Sequence, residues 1–180
     1  MKRFLILIIS CLCFTQAFCD DHLKFLGFPI DGTVDEYASK IKSKGFYVSP
    51  GNVYVEKGNR VMKGPFLGEE RDFILHYNKD SKIMYAVTLA DDFDYEEDAK
   101  FLYDKLVSLL REKYPNAIYI PSVEMGESYI SCCTFSCKEG LISLSIIVED
   151  IGYRLFMQYT DRINYKPIYE KEHQDALDDL

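Results

Sequence analysis

Leu141-Ile142-Ser143-Leu144-Ser145-Ile146-Ile147-Val148 is the stretch on which the fold turns. Ile142, Leu144, Ile146 and Val148 alternate with Ser143 and Ser145. Successive side chains of a strand point to opposite faces, so this pattern sets an apolar row against a core and hydroxyls toward water. That is the mark of an antiparallel sheet with one wet face. Downstream, Tyr153, Leu155, Met157 and Tyr159 repeat the alternation against Arg154 and Gln158. Strands are predicted near 117–121, 128–137, 141–149 and 153–160. Their connections are short, which only antiparallel neighbours allow.

A helix over 94–114 precedes these strands. Ala99, Leu102, Leu106, Leu109 and Leu110 form its apolar stripe, with Asp94 as N-cap and Glu97 three residues on. Lys105, Arg111 and Lys113 suit its C-terminal end. Tyr114-Pro115 ends it, because the residue before proline avoids the helical region.

The first half has the same order. Thr33 and Glu36 are spaced as a capping box, and Val34, Tyr37, Ala38 and Ile41 continue at helical spacing to Gly45, giving a helix over about 34–44. Phe46–Val48 and Val53–Val55 read as short strands around Pro50-Gly51-Asn52. A further strand begins at Arg60, and Gly64–Gly68 reads as a break or bulge. The next strand is Asp72–Tyr77. A tight loop at Asn78–Ser81 leads to Lys82–Leu89, with Ile83, Tyr85, Val87 and Leu89 alternating. Residues 161–180 read as a loop, with a helical turn near Asp175-Ala176-Leu177. The fold class is therefore α+β: an antiparallel sheet with two main helices packed on one face, in a helix-then-strands order that occurs twice. No identity between the halves establishes a duplication.

The chain opens Met1-Lys2-Arg3, followed by an apolar run from Phe4 to Ile9 and on past Ser10 to Phe14. A basic start, a short apolar core and a small residue at the exit make a secretory signal peptide. The run is too short to span a bilayer, which takes about 20 apolar residues. Cleavage after Ala17 leaves 163 of the 180 residues as a single domain over 18–180, with a tail from about 161. Cleavage after Cys19 fits as well, and acylation of Cys19 is a third route, opposed by the bulk of Phe18. Export, to the periplasm or outside the cell, follows from each. No later stretch is long and apolar enough for a transmembrane segment.

Removing residues 1–17 takes away two cations, Lys2 and Arg3, and no acid, so a net charge of −8 becomes −10. An acidic surface repels phosphate backbones, which excludes nucleic acid as the expected partner. Cys132, Cys133 and Cys137 fall on one predicted strand. Cys133 and Cys137 are about 13 Å apart when extended, and Cys132 faces away from Cys137, so no pair among the three closes a disulfide. They read as small buried hydrophobes, with a Cys19 bridge to this strand as the alternative.

His22–Thr33, Lys42–Phe46, Asp161–Asn164 and Ala176–Leu180 resemble segments of an uncharacterised group of small secreted proteins from gut anaerobes. The likeness runs over nearly all of the chain past the signal segment. It implies export and a shared fold and carries no activity. In topology alone, the tandem order is similar to β-lactamase-inhibitor-like and outer-membrane assembly-factor domains.

No motif calls for a cofactor, a metal or a catalytic group. Asp91, Asp92, Asp94, Glu96, Glu97 and Asp98 are dense enough for a calcium site but lack EF-hand spacing and glycine, and they fit a helix N-terminus. His22, His76 and His173 sit in no metal-binding pair. With Phe73, Leu75, Tyr77, Ile83, Tyr85 and Val87 turned inward, Ile74, His76, Met84 and Phe156 point outward as candidate binding residues. Apolar groups among polar neighbours on an open sheet can bind a partner, unless residues 161–180 cover that face. The reading is of an exported, non-enzymatic protein that binds another macromolecule, most simply a protein, or the cell envelope. The alternative is an envelope or extracellular hydrolase, its site built from carboxylates or a Cys/His pair that sequence does not bring together.

Overall fold

The computed structural model describes residues 22–50, 58–121 and 128–178. The signal segment, Cys19 and the predicted strand at Val53–Val55 lie outside them.

Two helices carry the inner layer. α1 (Val34–Lys42) has the full capping box: Thr33 Oγ1 accepts from Glu36 N–H, and Glu36 Oε2 accepts from Thr33 N–H. These bonds satisfy helix-end donors that would otherwise be orphaned. α2 (Glu96–Lys113) starts differently from expectation. Tyr95 is its N-cap and makes no side-chain cap bond; acids in the first turn favour the start through the dipole alone. α2 buries Ala99, Leu102, Tyr103, Leu106 and Leu110, whereas Leu109 is 42% exposed. Leu109 lies about 60° round the helix from Leu106, past the edge of the contact.

A small hairpin, β1 (Lys24–Phe25) and β2 (Phe28–Pro29), precedes α1. The main sheet has eight strands: β3 (Tyr47–Val48), β4 (Asn59–Phe66), β5 (Glu69–Tyr77), β6 (Met84–Phe93), β7 (Ile118–Pro121), β8 (Tyr129–Ser136), β9 (Gly140–Val148) and β10 (Tyr153–Asp161). Their order is β3-β4-β5-β6-β10-β9-β8-β7, and every pairing is antiparallel. Each half is a helix followed by a four-strand meander, and the last strands of the two halves meet at the centre. α1 packs on β5, and α2 on β9, β10 and β6. Phe73, Leu75, Val87, Leu89, Phe135, Ile142, Leu144, Ile146, Leu155 and Met157 fill the space beneath them.

Three local readings are corrected. Gly64–Gly68 is no break: β4 runs through Phe66, and Leu67-Gly68, both at positive φ, turn the chain directly into β5. Gly64 has a packing role, since a Cβ there would lie 2.5 Å from the Phe46 ring. A register shift at His76/Tyr77 breaks the alternation of β6. It turns Met84 inward, fully buried in the core, so Met84 is not an outer-face residue. The same shift puts Tyr85 beside His76 rather than in the core. Finally, 162–178 is not a loop but the 17-residue helix α3 (Arg162–Asp178), with Pro167 inside it and no buried residue. Among the described residues no helix is long and apolar enough to cross a membrane.

Candidate functional site

The face of the sheet away from α1 and α2 is the candidate site. Three of the four residues expected there, Ile74, His76 and Phe156, alternate with buried core neighbours and lie on it. α3 covers one end, where Tyr165 packs on Tyr85 at 5.7 Å between ring centroids. Beyond α3 the face of β7 to β10 is uncovered by any other described element. Its middle carries Thr134, Ser136, Ser143, Ser145 and Gln158, aligned by register across the strands. Its border carries aliphatics: Ile118 is 66%, Ile120 49% and Leu141 42% exposed. Ile118 and Ile120 were missed by sequence reasoning, because a strand of four residues offers too few alternations to assign a face; Leu141 falls on the wet side of the β9 alternation but was not singled out.

His76 is tied into a hydrogen-bond chain that crosses from one half to the other. Its Nδ1 is 2.9 Å from Asn59 Oδ1, and its Nε2 is 2.8 Å from Thr88 Oγ1. Thr88 donates onward to Gln158 Oε1 at 3.2 Å, and Gln158 Nε2 donates to Thr160 Oγ1 at 3.0 Å. Burial pushes the His76 imidazole down to about 4, so the ring is neutral near pH 7. A neutral ring offers one donor only. The chain then runs in a single direction when the Asn59 amide presents its NH₂ to Nδ1 and His76 Nε2–H donates to Thr88.

Asn59, His76 and Thr88 have the connectivity of an orienter, a base and a hydroxyl nucleophile. The surroundings oppose that chemistry. Thr88 is buried. It sits mid-strand between paired neighbours Ile74 and Gln158, so nearby backbone N–H groups are spent on the ladder rather than aimed at a developing oxyanion. A base held near 4 is also poorly matched to neutral pH. Nor do Cys132 and Cys133 pair with His76. Cys132 and Cys133 are on β8 and His76 on β5, four strand spacings or about 19 Å apart. Cys132, Cys133 and Cys137 are free thiols, and burial raises those of Cys133 and Cys137, which suppresses the reactive thiolate.

Three of the six acids in the acidic run have structural partners. Asp91 pairs with Arg71, Asp92 with Arg154 at 2.5 Å, and Glu96 with Lys100 at 2.5 Å. Among the described residues no group of three or more His, Cys, Asp or Glu converges as a metal site. Compared with protein-family models, with curated proteins and with solved structures, the chain matches none.

Proposed function

We propose that this is an exported, non-enzymatic binding protein that engages a macromolecule, most simply another protein, or a component of the cell envelope, through the outer face of its sheet. The supporting observation is the border of Ile118, Ile120 and Leu141 around a field of hydroxyls, on a sheet whose other face carries α1 and α2 over the core. Apolar side chains left in water at the rim of a flat polar field gain free energy when a partner covers them, and the hydroxyls supply orientation. Export is supported by the basic-then-apolar segment at residues 2–14 and by the small residue Ala17.

The test is capture from envelope extract with the mature chain as bait, beside an Ile118→Asp/Ile120→Asp variant. The reading requires a saturable partner retained by the parent and lost by a folded variant. Equal capture by both would sink it. A hydrolase is the second reading, favoured only by the Asn59–His76–Thr88 connectivity. Hydrolysis of generic esters or peptides that vanishes in Thr88→Val would establish it.

A further inference from the structure

The first two turns of α3 stand over the ends of β9 and β10 and close a cavity of about 240 Å³ lined by Leu141, Thr160, Arg162, Tyr165, Lys166 and Tyr169. We propose that this cavity is a binding site for a small carboxylate carried on a single ring, adjoining the sheet-face surface at Leu141 and sharing neither Ile118 nor Ile120 with it.

Shape and charge both select that ligand. The walls are the Tyr165 and Tyr169 rings, 6.4 Å apart between centroids, with Leu141 as floor. Tyrosine faces and a leucine suit a flat or puckered ring. The volume falls below that of drug-sized sites and is ample for a single ring. The lining includes two cations and no acid. In a chain with 29 acidic and 21 basic residues that local excess runs against the composition. Arg162 is positioned rather than loose: one guanidinium nitrogen donates to Cys137 O at 2.9 Å, and its backbone N–H donates to Glu139 O at 3.0 Å. A guanidinium fixed at one end can present its other donors to a carboxylate. Lys166 lies 3.6 Å from Glu170, an exposed pair on adjacent turns that an incoming carboxylate can displace at little cost.

Tyr165 also separates this cavity from a larger one on the opposite side of α3. The larger cavity is lined by Lys79, Asp80, Lys171, Glu172 and Asp175, where the acids outnumber the cations and do not favour an anion. The discrimination is therefore local to one side of a single helix.

The experiment is amide chemical-shift titration of the isotope-labelled chain with benzoate, benzyl alcohol, glucuronate and acetate. Saturable shifts confined to Gly140, Leu141, Thr160 and 162–169 are expected with benzoate. Benzyl alcohol, which lacks the charge, and acetate, which lacks the ring, should bind roughly tenfold more weakly or not at all, as one lost charge-assisted contact implies. Glucuronate tells a sugar-acid ligand from an aromatic one. Lys166→Gln, on an exposed position that leaves the fold intact, should weaken benzoate several-fold, and Tyr169→Ala should remove the ring preference. Equal affinity for benzoate and benzyl alcohol, shifts scattered over the sheet, or no saturable shift into the millimolar range overturns the proposal. The Ile118→Asp/Ile120→Asp variant should still bind benzoate, which separates failure here from failure of the sheet-face reading.

Discussion

Asp161 and Leu23 are 138 residues apart in sequence, yet Oδ1 of the fully buried carboxylate accepts the backbone N–H of Leu23 at 2.8 Å. Its other oxygen accepts from Asn164 N–H at 3.0 Å, capping the start of α3, and lies 3.1 Å from His22 Nδ1. One side chain thus fastens the segment before β1 to α3. Asp161→Ala should cost about 2–4 kcal/mol, since it strands the buried Leu23 N–H and the half-buried Asn164 N–H. Hydrogen exchange supplies the specific reading: Leu23 and Asn164 amides should lose protection before the central strands do. Unchanged protection at both would show that the carboxylate is not their anchor.

Packing separates residues that look equivalent in the sequence. Leu106→Ala should cost about 2–5 kcal/mol, and Leu109→Ala less than about 1 kcal/mol. Met84→Ser belongs with the costly group, because it opens a cavity in the core and buries a hydroxyl there. Denaturant melts rank the three. A Met84 variant as stable as Leu109→Ala would contradict the register shift that turns Met84 inward.

The β4–β5 turn holds an easily tested strain. Leu67 has φ +54 and is followed by Gly68 at φ +91, the left-handed pair of a tight hairpin. A leucine in that region costs roughly 1 kcal/mol that asparagine largely avoids. Leu67→Asn should therefore stabilise the protein by a few tenths to about 1 kcal/mol and raise the Tm. A lowered Tm would mean that Leu67 makes contacts worth more than the backbone strain.

His76 couples stability to acidity. Its native value of about 4 lies below the ordinary histidine range, so the unfolded chain binds the proton more readily than the folded one. The contribution is whole above the unfolded value of about 6.5 and is lost as pH falls from there toward 4, up to about 3 kcal/mol over that window. His76→Gln should flatten this part of the stability–pH curve while keeping one hydrogen bond to Thr88 or Asn59. An equally steep curve in the variant would assign the acid sensitivity to other groups.

Much of the architecture was legible because its signals are local. The alternation of Ile142, Leu144 and Ile146, the Thr33/Glu36 box and the Tyr114-Pro115 stop each arise within a few residues, and each holds in the structure. The Met84 error has a different origin. A bulge adds one residue to a strand without changing its composition, so nothing before Met84 announces that the faces exchange. α3 escaped notice because its apolar residues make no continuous stripe and Pro167 reads as a breaker. Of the site, Ile74, His76 and Phe156 followed from alternation, while the cavity under α3 required a helix that the sequence does not signal.

The meeting of β6 and β10 gives this chain the layout of two like halves joined edge to edge in one continuous sheet. The seam is the pair of strands that each half places last, and the outer edges, β3 and β7, are the strands that each places first. Because the halves differ in sequence, the two ends of one continuous sheet are free to diverge. β7 exposes Ile118 and Ile120, where β3 exposes Tyr47 and Val48. A symmetric assembly would be obliged to carry the same surface twice; halves held in one chain are free to present two different edges.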